Sequence, residues 1–338
     1  EEFGIPQRRK RMIAGSFPLN MLKEYSNLLK QNHPNIFISA TLGNVISALN
    51  HKSHIQDPIY ANTMDAGELK DHDPTDFLDN EEIRMNSAAK EYHPVYNKMK
   101  FPDDLSRSSR TITATCTRVS RESIIIQRAK NKFRRLSVRE RVSLQTFPIN
   151  FQLGGNSYND RLKMVGNAIP PLLTYFIGKS MLEEQGNKIN LYLSDYKYKP
   201  ASNINKQVDI ERKKNLFPST RKFRHAIPGL RFGSGVRFEL VNNTANHPVL
   251  WKVNYYFGSS KNIMSIPLDS DLLNITNQQI KQLEFNIDID KIRNRICFDG
   301  NALQNRWFNK SSSGSSPFDI IDDLGELCKN IYMKMDNN

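Results

Sequence analysis

The stretch from Arg135 to Gly178, RLSVRERVSLQTFPINFQLGGNSYNDRLKMVGNAIPPLLTYFIG, limits most strongly what this chain can fold into. It opens as a helix. Ser137 is a good N-cap, because its hydroxyl can accept a hydrogen bond from an otherwise unsatisfied backbone N–H. Glu140 follows three residues later and completes an S-x-x-E capping box. Val142 and Leu144 then lead to a stop at Phe147-Pro148. Further on, Gly166-Asn167 precedes Ala168-Ile169, Pro170-Pro171 and the apolar run Leu172 to Ile177. Proline is tolerated in a first helical turn, where its missing N–H is not needed. The second part therefore reads as a loop, a Gly-Asn turn and a helix.

These residues carry a resemblance. LSVRERVSLQTFP resembles motif IX of the DNA cytosine-5 methyltransferases, and VGNAIPPLLTYFIG resembles their motif X. The opening FGIPQRRKR, followed by Met12-Ile13-Ala14-Gly15, resembles the Q-x-R-x-R strand of motif VIII. The three stand in the family's order over about residues 1–182. The resemblance implies an α/β protein: the C-terminal portion of a class I S-adenosylmethionine-dependent methyltransferase fold with an inserted target recognition domain. Here it is followed by a mainly β C-terminal extension. The expected boundaries are 1–16 for the motif VIII strand, 17–134 for the recognition domain and 135–182 for motifs IX and X. A linker over 183–217 and a domain over 218–338 follow.

On a strand, alternate residues share a face. Residues 1–16 read as such a strand, so Gln7, Arg9 and Arg11 project together and Arg8 and Lys10 project the other way. By resemblance Arg11 meets the flipped target base, Arg9 positions phosphate or a loop, and Gln7 supports both. The plain alternative is a basic edge strand with solvated charges.

Between motifs, Ile36-Phe37-Ile38 and Val45-Ile46 to Leu49 read as short buried pieces. The acidic residues Asp65, Glu68, Asp71, Asp73, Asp76, Asp79, Glu81 and Glu82 stand at no metal-ligand spacing and read as a solvated loop; no metal site is expected. Residues 107–141 hold eleven Lys or Arg against Glu122 and Glu140 alone. Arg110-Thr111-Ile112-Thr113 resembles the T-I-T segment that ends the family's recognition domain. Arg110, Thr111, Thr113, Arg118, Arg121 and Arg135 are the expected DNA contacts, since arginine and threonine suit phosphates and base edges. Near motif X, a Gly-Asn-rich turn over 149–165 includes Gly154 and Gly155. Gly166 and Asn167 permit close backbone approach to a small ligand. By resemblance Gly166, Asn167 and Ala168 border the S-adenosylmethionine pocket, and Leu172, Leu173, Phe176 and Ile177 pack the motif X helix.

In the extension, Val236 to Val241 alternates as a strand, as Leu250 to Tyr255 does in part, with Asn242-Asn243 as a turn. Ser311 to Ser316 reads as a flexible break. Residues 317–335 read as a closing amphipathic helix with Ile320, Ile321, Leu324, Leu327, Ile331 and Met333 inward.

The formal net charge is +13, which favours a polyanionic partner. Residues 1–182 hold 26 basic against 18 acidic residues and 183–338 hold 22 against 17, so the excess is +8 and +5. The extension therefore reads as a partner or effector domain rather than a DNA contact. Cys116, Cys297 and Cys328 are widely spaced, which indicates neither zinc nor a disulfide framework and fits a reducing, cytoplasmic setting. No apolar run approaches a membrane span.

The family's chemistry needs a cysteine thiolate, from a Pro-Cys motif, that adds to C6 of a flipped cytosine. It also needs an acid from Glu-Asn-Val and a Gly-rich cofactor turn. This sequence holds none of these: no cysteine follows a proline, and there is no F-x-G-x-G. The motifs are expected upstream of Glu1, on the same longer chain or on a separate subunit, and the chain is expected to be inactive alone. The competing reading is a non-catalytic, sequence-specific DNA-binding or regulatory protein derived from the family. RNA methylation is disfavoured by the long segment between motifs VIII and IX.

Overall fold

The computed structural model describes residues 2–32, 34–50, 53–60, 62–69, 76–91, 99–151, 153–154, 157–184, 217–227, 237–256, 263–268, 299–309 and 316–335. It is a mixed helix-and-sheet protein in two units, residues 1–91 with 99–212 and residues 92–98 with 213–338. Every ladder between its strands is antiparallel among the described residues.

The first unit begins with three helices, α1 (Leu19–Asn32), α2 (Pro34–Ser39) and α3 (Leu42–Ala48). A short hairpin of β1 (His54–Gln56) and β2 (Thr63–Asp65) leads through a 3-10 turn to α4 (Asn80–Glu91). A second hairpin, β3 (Ile125–Ala129) and β4 (Lys132–Arg135), precedes α5 (Val138–Leu144), α6 (Tyr158–Asn167) and α7 (Pro171–Glu184). The capping box forms as the sequence requires: the Ser137 hydroxyl accepts from Glu140 N–H, and the Glu140 carboxylate accepts from Ser137 N–H at 2.8 Å. Helix α5 stops at Leu144, ahead of Phe147-Pro148.

Two apolar cores fill this unit. One gathers Leu42, Val45, Ile46 and Leu49 of the α3 region with Ile112, Ile124, Ile126, Leu136, Val142 and Val165. The other joins Phe3 and Ile5 to Leu22, Tyr25 and Leu29 of α1 and to Leu172 and Phe176 of α7, with Leu173 and Ile177 packed at its margin. The Phe3 and Phe176 rings stack at 5.0 Å.

Residues 1–16 form no strand ladder; Gln7 makes a single parallel bridge to Ser109. Two backbone hydrogen bonds, Arg8 N–H to Ser109 O and Ser109 N–H to Pro6 O, are all that this bridge provides. Ile38, in α2, is 70% exposed, Phe37 packs at the margin of the second core, and Val45, Ile46 and Leu49 are buried as expected; the side chain of Ile36 lies outside the described residues. The acidic segment is not wholly solvated. Asp79 and Glu82 cap α4 reciprocally, and Glu82 is buried against Arg118 at 2.8 Å. Asp71 and Asp73 lie outside the described residues. Gly166-Asn167 is not a free turn but the last two residues of α6, which starts at the N-cap Ser157. Gly155 lies outside the described residues.

The second unit is a four-stranded antiparallel sheet in the order β5 (Arg224–Ala226), β6 (Arg237–Asn243), β7 (Leu250–Tyr256) and β8 (Ile263–Pro267). Helices α8 (Gly300–Asn309) and α9 (Pro317–Met335) complete it. Asn242 and Asn243 do not turn; they pair with Trp251 and Leu250 and extend the ladder. The Asn242 amide reaches Arg221 O at 2.9 Å and Gln304 Oε1 at 2.6 Å, so a buried helix group replaces the solvent that a turn would need. Phe223 sits among Trp251, Trp307 and Phe318 with ring centroids 5.0–5.5 Å away. Ile320, Ile321 and Leu327 of α9 are buried, and Leu324 is half-buried. The side chains of Ile331 and Met333, Val236, Ser311 to Ser315 and the linker from 185 to 216 lie outside the described residues.

Candidate functional site

The three sequence motifs meet at one polar node. Phe3 and Ile5 anchor the N-terminal segment in the core beside α7, which fixes where Gln7 enters. Gln7 is 1% exposed. Its Oε1 accepts from Ile112 N–H at 2.8 Å and its Nε2 donates to Gln145 Oε1 at 3.1 Å. Gln145, the C-cap of α5, donates in turn to Val165 O at 2.9 Å. Arg9 spans the same three segments, donating from Nη1 to Ile112 O at 2.8 Å and from Nη2 to Gly166 O at 2.6 Å. Hydrogen bonds to a charged donor are stronger than neutral ones, and a half-buried arginine holding two carbonyls fixes both segments. Thr111 closes the node with a bond from its hydroxyl to Arg8 O at 2.8 Å.

Glycine is required at 166. A Cβ there would lie 2.1 Å from Ala114 N, so no side chain fits. The close approach expected of this glycine is thus real, but its partner is the chain's own Thr113–Ala114 backbone. Of the three residues expected at a cofactor, Gly166 is buried with its carbonyl held by Arg9, and Ala168 N–H is held by Met164 and Val165 carbonyls. Asn167 is exposed.

The expected common face of Gln7, Arg9 and Arg11 is divided. Gln7 and Arg9 turn into the node, while Arg11 is exposed with its neighbours from Lys10 to Gly15. The reason is the missing ladder: with one bridge only, nothing holds the chain extended past Arg9.

The six expected DNA contacts also divide. Arg110 forks onto Asp103 at 2.6 and 3.1 Å and donates to Ser123 O. Arg118 forks onto Glu82 at 2.8 and 3.1 Å and donates to Phe77 O. Arg121 donates to Ala89 O and Lys90 O, and Arg135 to Cys116 O, with its guanidinium over the Tyr158 ring. These four guanidinium groups are thus engaged inside the unit. Thr111 is exposed and Thr113 half-buried.

The sequence reading missed Gln145, Asp103 and the surroundings of Cys116. The first stands in the LQTFP run quoted for motif IX, where a buried amide at a helix C-cap has no composition signal. Cys116 is buried, accepts from Arg141 Nη2 at 2.8 Å and lies 3.1 Å from the Ser123 hydroxyl. Burial pushes its thiol up, but the Arg141 and Arg135 guanidiniums and the Ser123 hydroxyl outweigh burial and hold it below the ordinary value. Cys328 is pushed up to about 11 by burial. Cys297 lies outside the described residues. Among the described residues no group of three or more acidic, histidine or cysteine side chains could hold a metal, and no helix is long and apolar enough to cross a membrane.

The profile of the C-5 cytosine-specific DNA methylases matches residues 1–183. The type II methyltransferase M.FnuDI of Fusobacterium nucleatum is 44% identical over 59 residues, 18% of this chain and 17% of that protein. The type II methyltransferase M.AplI of Arthrospira platensis is 44% identical over 66 residues, 19% of each. The matched stretches therefore span less than a fifth of these relatives' own lengths. No solved structure matches the chain. Over residues 1–183, more than half of its length, the chain belongs to the C-5 cytosine-specific DNA methylase family.

Proposed function

We propose that this chain is the DNA-recognition and active-site-completing part of a cytosine-5 DNA methyltransferase, whose thiolate-bearing half is supplied upstream on a longer chain or by a separate subunit. One observation carries the reading. The Gln7–Arg9 node ties the motif VIII segment to the T-I-T segment at Ile112 and to motifs IX and X at Gln145 and Gly166. A base-facing segment, a recognition segment and a cofactor-facing corner thereby form one rigid piece, and the exposed Arg11 extends beyond it.

Two further features support it. Neither described cysteine suits nucleophilic attack: Cys116 is buried under Arg141, and Cys328 holds its proton at neutral pH. Helix α7 leaves part of its apolar surface uncovered. Leu172 and Phe176 face the core, while Ile169 before it and Met181 on it stay exposed. In this reading the cofactor-binding half covers that exposed apolar surface. S-adenosylmethionine supplies an electrophilic methyl group to this family's reaction. On this side of its site the exposed Asn167 touches it, while Gly166 and Ala168 keep that corner in shape. The double-stranded DNA substrate lies against the T-I-T segment at Thr111 and Thr113.

The test is transfer of a labelled methyl group to duplex DNA by the 338-residue chain alone and with the polypeptide encoded just upstream. Activity only in the mixture is expected. Activity of the chain alone would overturn the two-part reading. Tight DNA binding without activity in either would favour a non-catalytic DNA-binding derivative. In the active mixture, Arg11→Ala abolishes transfer and leaves duplex affinity within a few-fold; equal loss of both would remove Arg11 from the base.

A further inference from the structure

The fold separates two sets among the basic residues between 107 and 141. Arg110, Arg118, Arg134 and Arg141 are matched inside the unit to Asp103, Glu82, Glu140 and Cys116. Arg128, Lys130 and Lys132 are not. All three are exposed, and all three lie at the tip of the β3–β4 hairpin. No ion pair joins any of them to a described residue. The sequence from Ser123 to Arg139 contains no acidic residue to neutralise them.

The tip has a fixed shape. Ala129 pairs with Lys132 across a two-residue turn, and Asn131 sits at φ 58°, in the left-handed region that asparagine tolerates. The register shifts between Gln127 and Ala129, so Arg128 is the extra residue of a bulge, a device that re-aims the side chain it carries. Lys132 lies over the half-exposed Phe77 ring at 5.6 Å. The stem is held from three sides. Leu78 N–H donates to Phe133 O at 2.7 Å, Asp103 N–H to Ile125 O at 2.8 Å, and Arg134 is clamped by Glu140. Three like charges are therefore presented together on a base that does not have to be ordered when a partner arrives.

We infer that this tip is a phosphate-contact site that grips the backbone of duplex DNA, independently of base sequence. The inference rests on the reading of the chain as the DNA-recognition part of a methyltransferase. A duplex carries one phosphate per ~3.4 Å of axis on each strand. Arg128 and Lys130 stand two residues apart, about 7 Å at a strand's ~3.4 Å rise, and Lys132 lies on the facing strand ~4.8 Å away, so several of these long side chains can engage neighbouring phosphates. An acidic protein surface is a poorer match, because lysine is depleted at protein–protein interfaces. Phosphate contacts fix orientation and register without reading bases. The tip would thus hold the duplex while Thr111 and Thr113 approach it.

The experiment uses the full 338-residue chain and a fluorescent mixed-sequence duplex of about 30 base pairs, titrated from about 50 to 200 mM KCl. The slope of log affinity against log salt falls by about 0.9 for each phosphate contact removed. The variant Arg128→Gln/Lys130→Gln/Lys132→Gln is expected to lose a slope of about two or more, and roughly 60-fold in affinity near 0.1 M salt for two contacts. Lys130→Arg/Lys132→Arg keeps the wild-type slope. Arg128→Gln alone, at an exposed bulge, gives a slope loss of about 0.9 without any burden on folding. Wild-type chain that binds, with the triple variant's slope unchanged, overturns the tip as a DNA site and leaves the DNA-recognition reading intact. Wild-type chain that binds no duplex overturns both.

Discussion

Residues 99–141 and the second unit hold themselves together by different means. In the first, arginines join segments around the shared apolar core: Arg110 to Asp103, Arg134 to Glu140, Arg141 to Cys116. In the second, the centre is aromatic, with Phe223 inside Trp251, Trp307 and Phe318. Its arginines also meet rings: Arg221 lies 3.4 Å from the Trp307 ring centroid and 3.7 Å from that of Phe217, and the largely exposed Arg224, paired with Glu239 at 2.6 Å, lies over the Tyr256 ring. The contrast teaches where specificity is set. Aromatic packing needs area and tolerates small shifts, whereas a forked arginine on a carboxylate fixes position and angle together. The region that must hold the T-I-T segment in register is the one built from forks.

The largest expected effect breaks a fork. Glu140 accepts from both Arg134 terminal nitrogens, at 2.6 and 2.8 Å, and from Ser137 N–H at 2.8 Å. Glu140→Ala leaves a buried guanidinium unpaired and removes half of the capping box. It should cost about 3–5 kcal/mol, as removal of one partner of a buried pair does. Urea unfolding at neutral pH measures it. A loss below about 1 kcal/mol would mean that Arg134 finds another partner and that the fork holds little.

Phe223→Ala is the matched test in the aromatic unit, with an expected cost of about 3–4 kcal/mol from lost contacts and the cavity left behind. Its cost should not change with ionic strength. A cost that fell with added salt would show that the second unit, too, depends on charge, and the contrast between the two regions would collapse.

The same contrast explains what could be read in advance. Ser137 with Glu140, the end of α5, the strands β6 and β7 and the apolar face of α9 were all legible, because each is a local pattern whose meaning does not depend on distant residues. Arg110, Arg118, Arg121 and Arg135 were not. An arginine paired with a carboxylate thirty-six positions away, as Arg118 is with Glu82, looks in sequence the same as one that waits for DNA. Gly166 was legible as a close-approach position but not for what it approaches, since Ala114 comes beside it only in the folded chain. Asn242-Asn243 looked like a turn because the partner that keeps Asn242 in the strand, Gln304, lies sixty-two residues on.

Lys90 sharpens the comparison from the opposite direction, because there charge should cost stability. It is fully buried, its Nζ makes no hydrogen bond, and it lies 3.6 Å from an Asp103 carboxylate already forked by Arg110. Burial lowers it from 10.5 to about 8, against the pull of Asp103. Between those values the unfolded chain carries a proton that the folded chain has lost, so stability rises with pH across that window. Below about pH 8 the penalty is present in full. Lys90→Met should therefore stabilise the protein at pH 7 by on the order of 3 kcal/mol. It should also flatten stability between pH 8 and 10. A destabilised variant at pH 7 would show that the Lys90–Asp103 pair is a net bond and that this region's charges all contribute in one direction.

The smallest effect calibrates the others, because it touches neither a fork nor an aromatic contact. Gly178 lies inside α7, and a Cβ there meets nothing within 4 Å. Glycine in a helix interior is less favourable than alanine by about 1 kcal/mol, so Gly178→Ala should stabilise the chain by roughly that amount. Gly166, twelve residues earlier and also helical, should respond with the opposite sign, since its Cβ would strike the Ala114 backbone. Thermal melts of the two variants separate intrinsic helix propensity from the packing of the T-I-T segment. If Gly166→Ala were as mild as Gly178→Ala, that segment would have to be able to move away from α6. The Gln7–Arg9 node would then be a loose contact, and the rigid join between recognition segment and cofactor corner on which the functional reading stands would be lost.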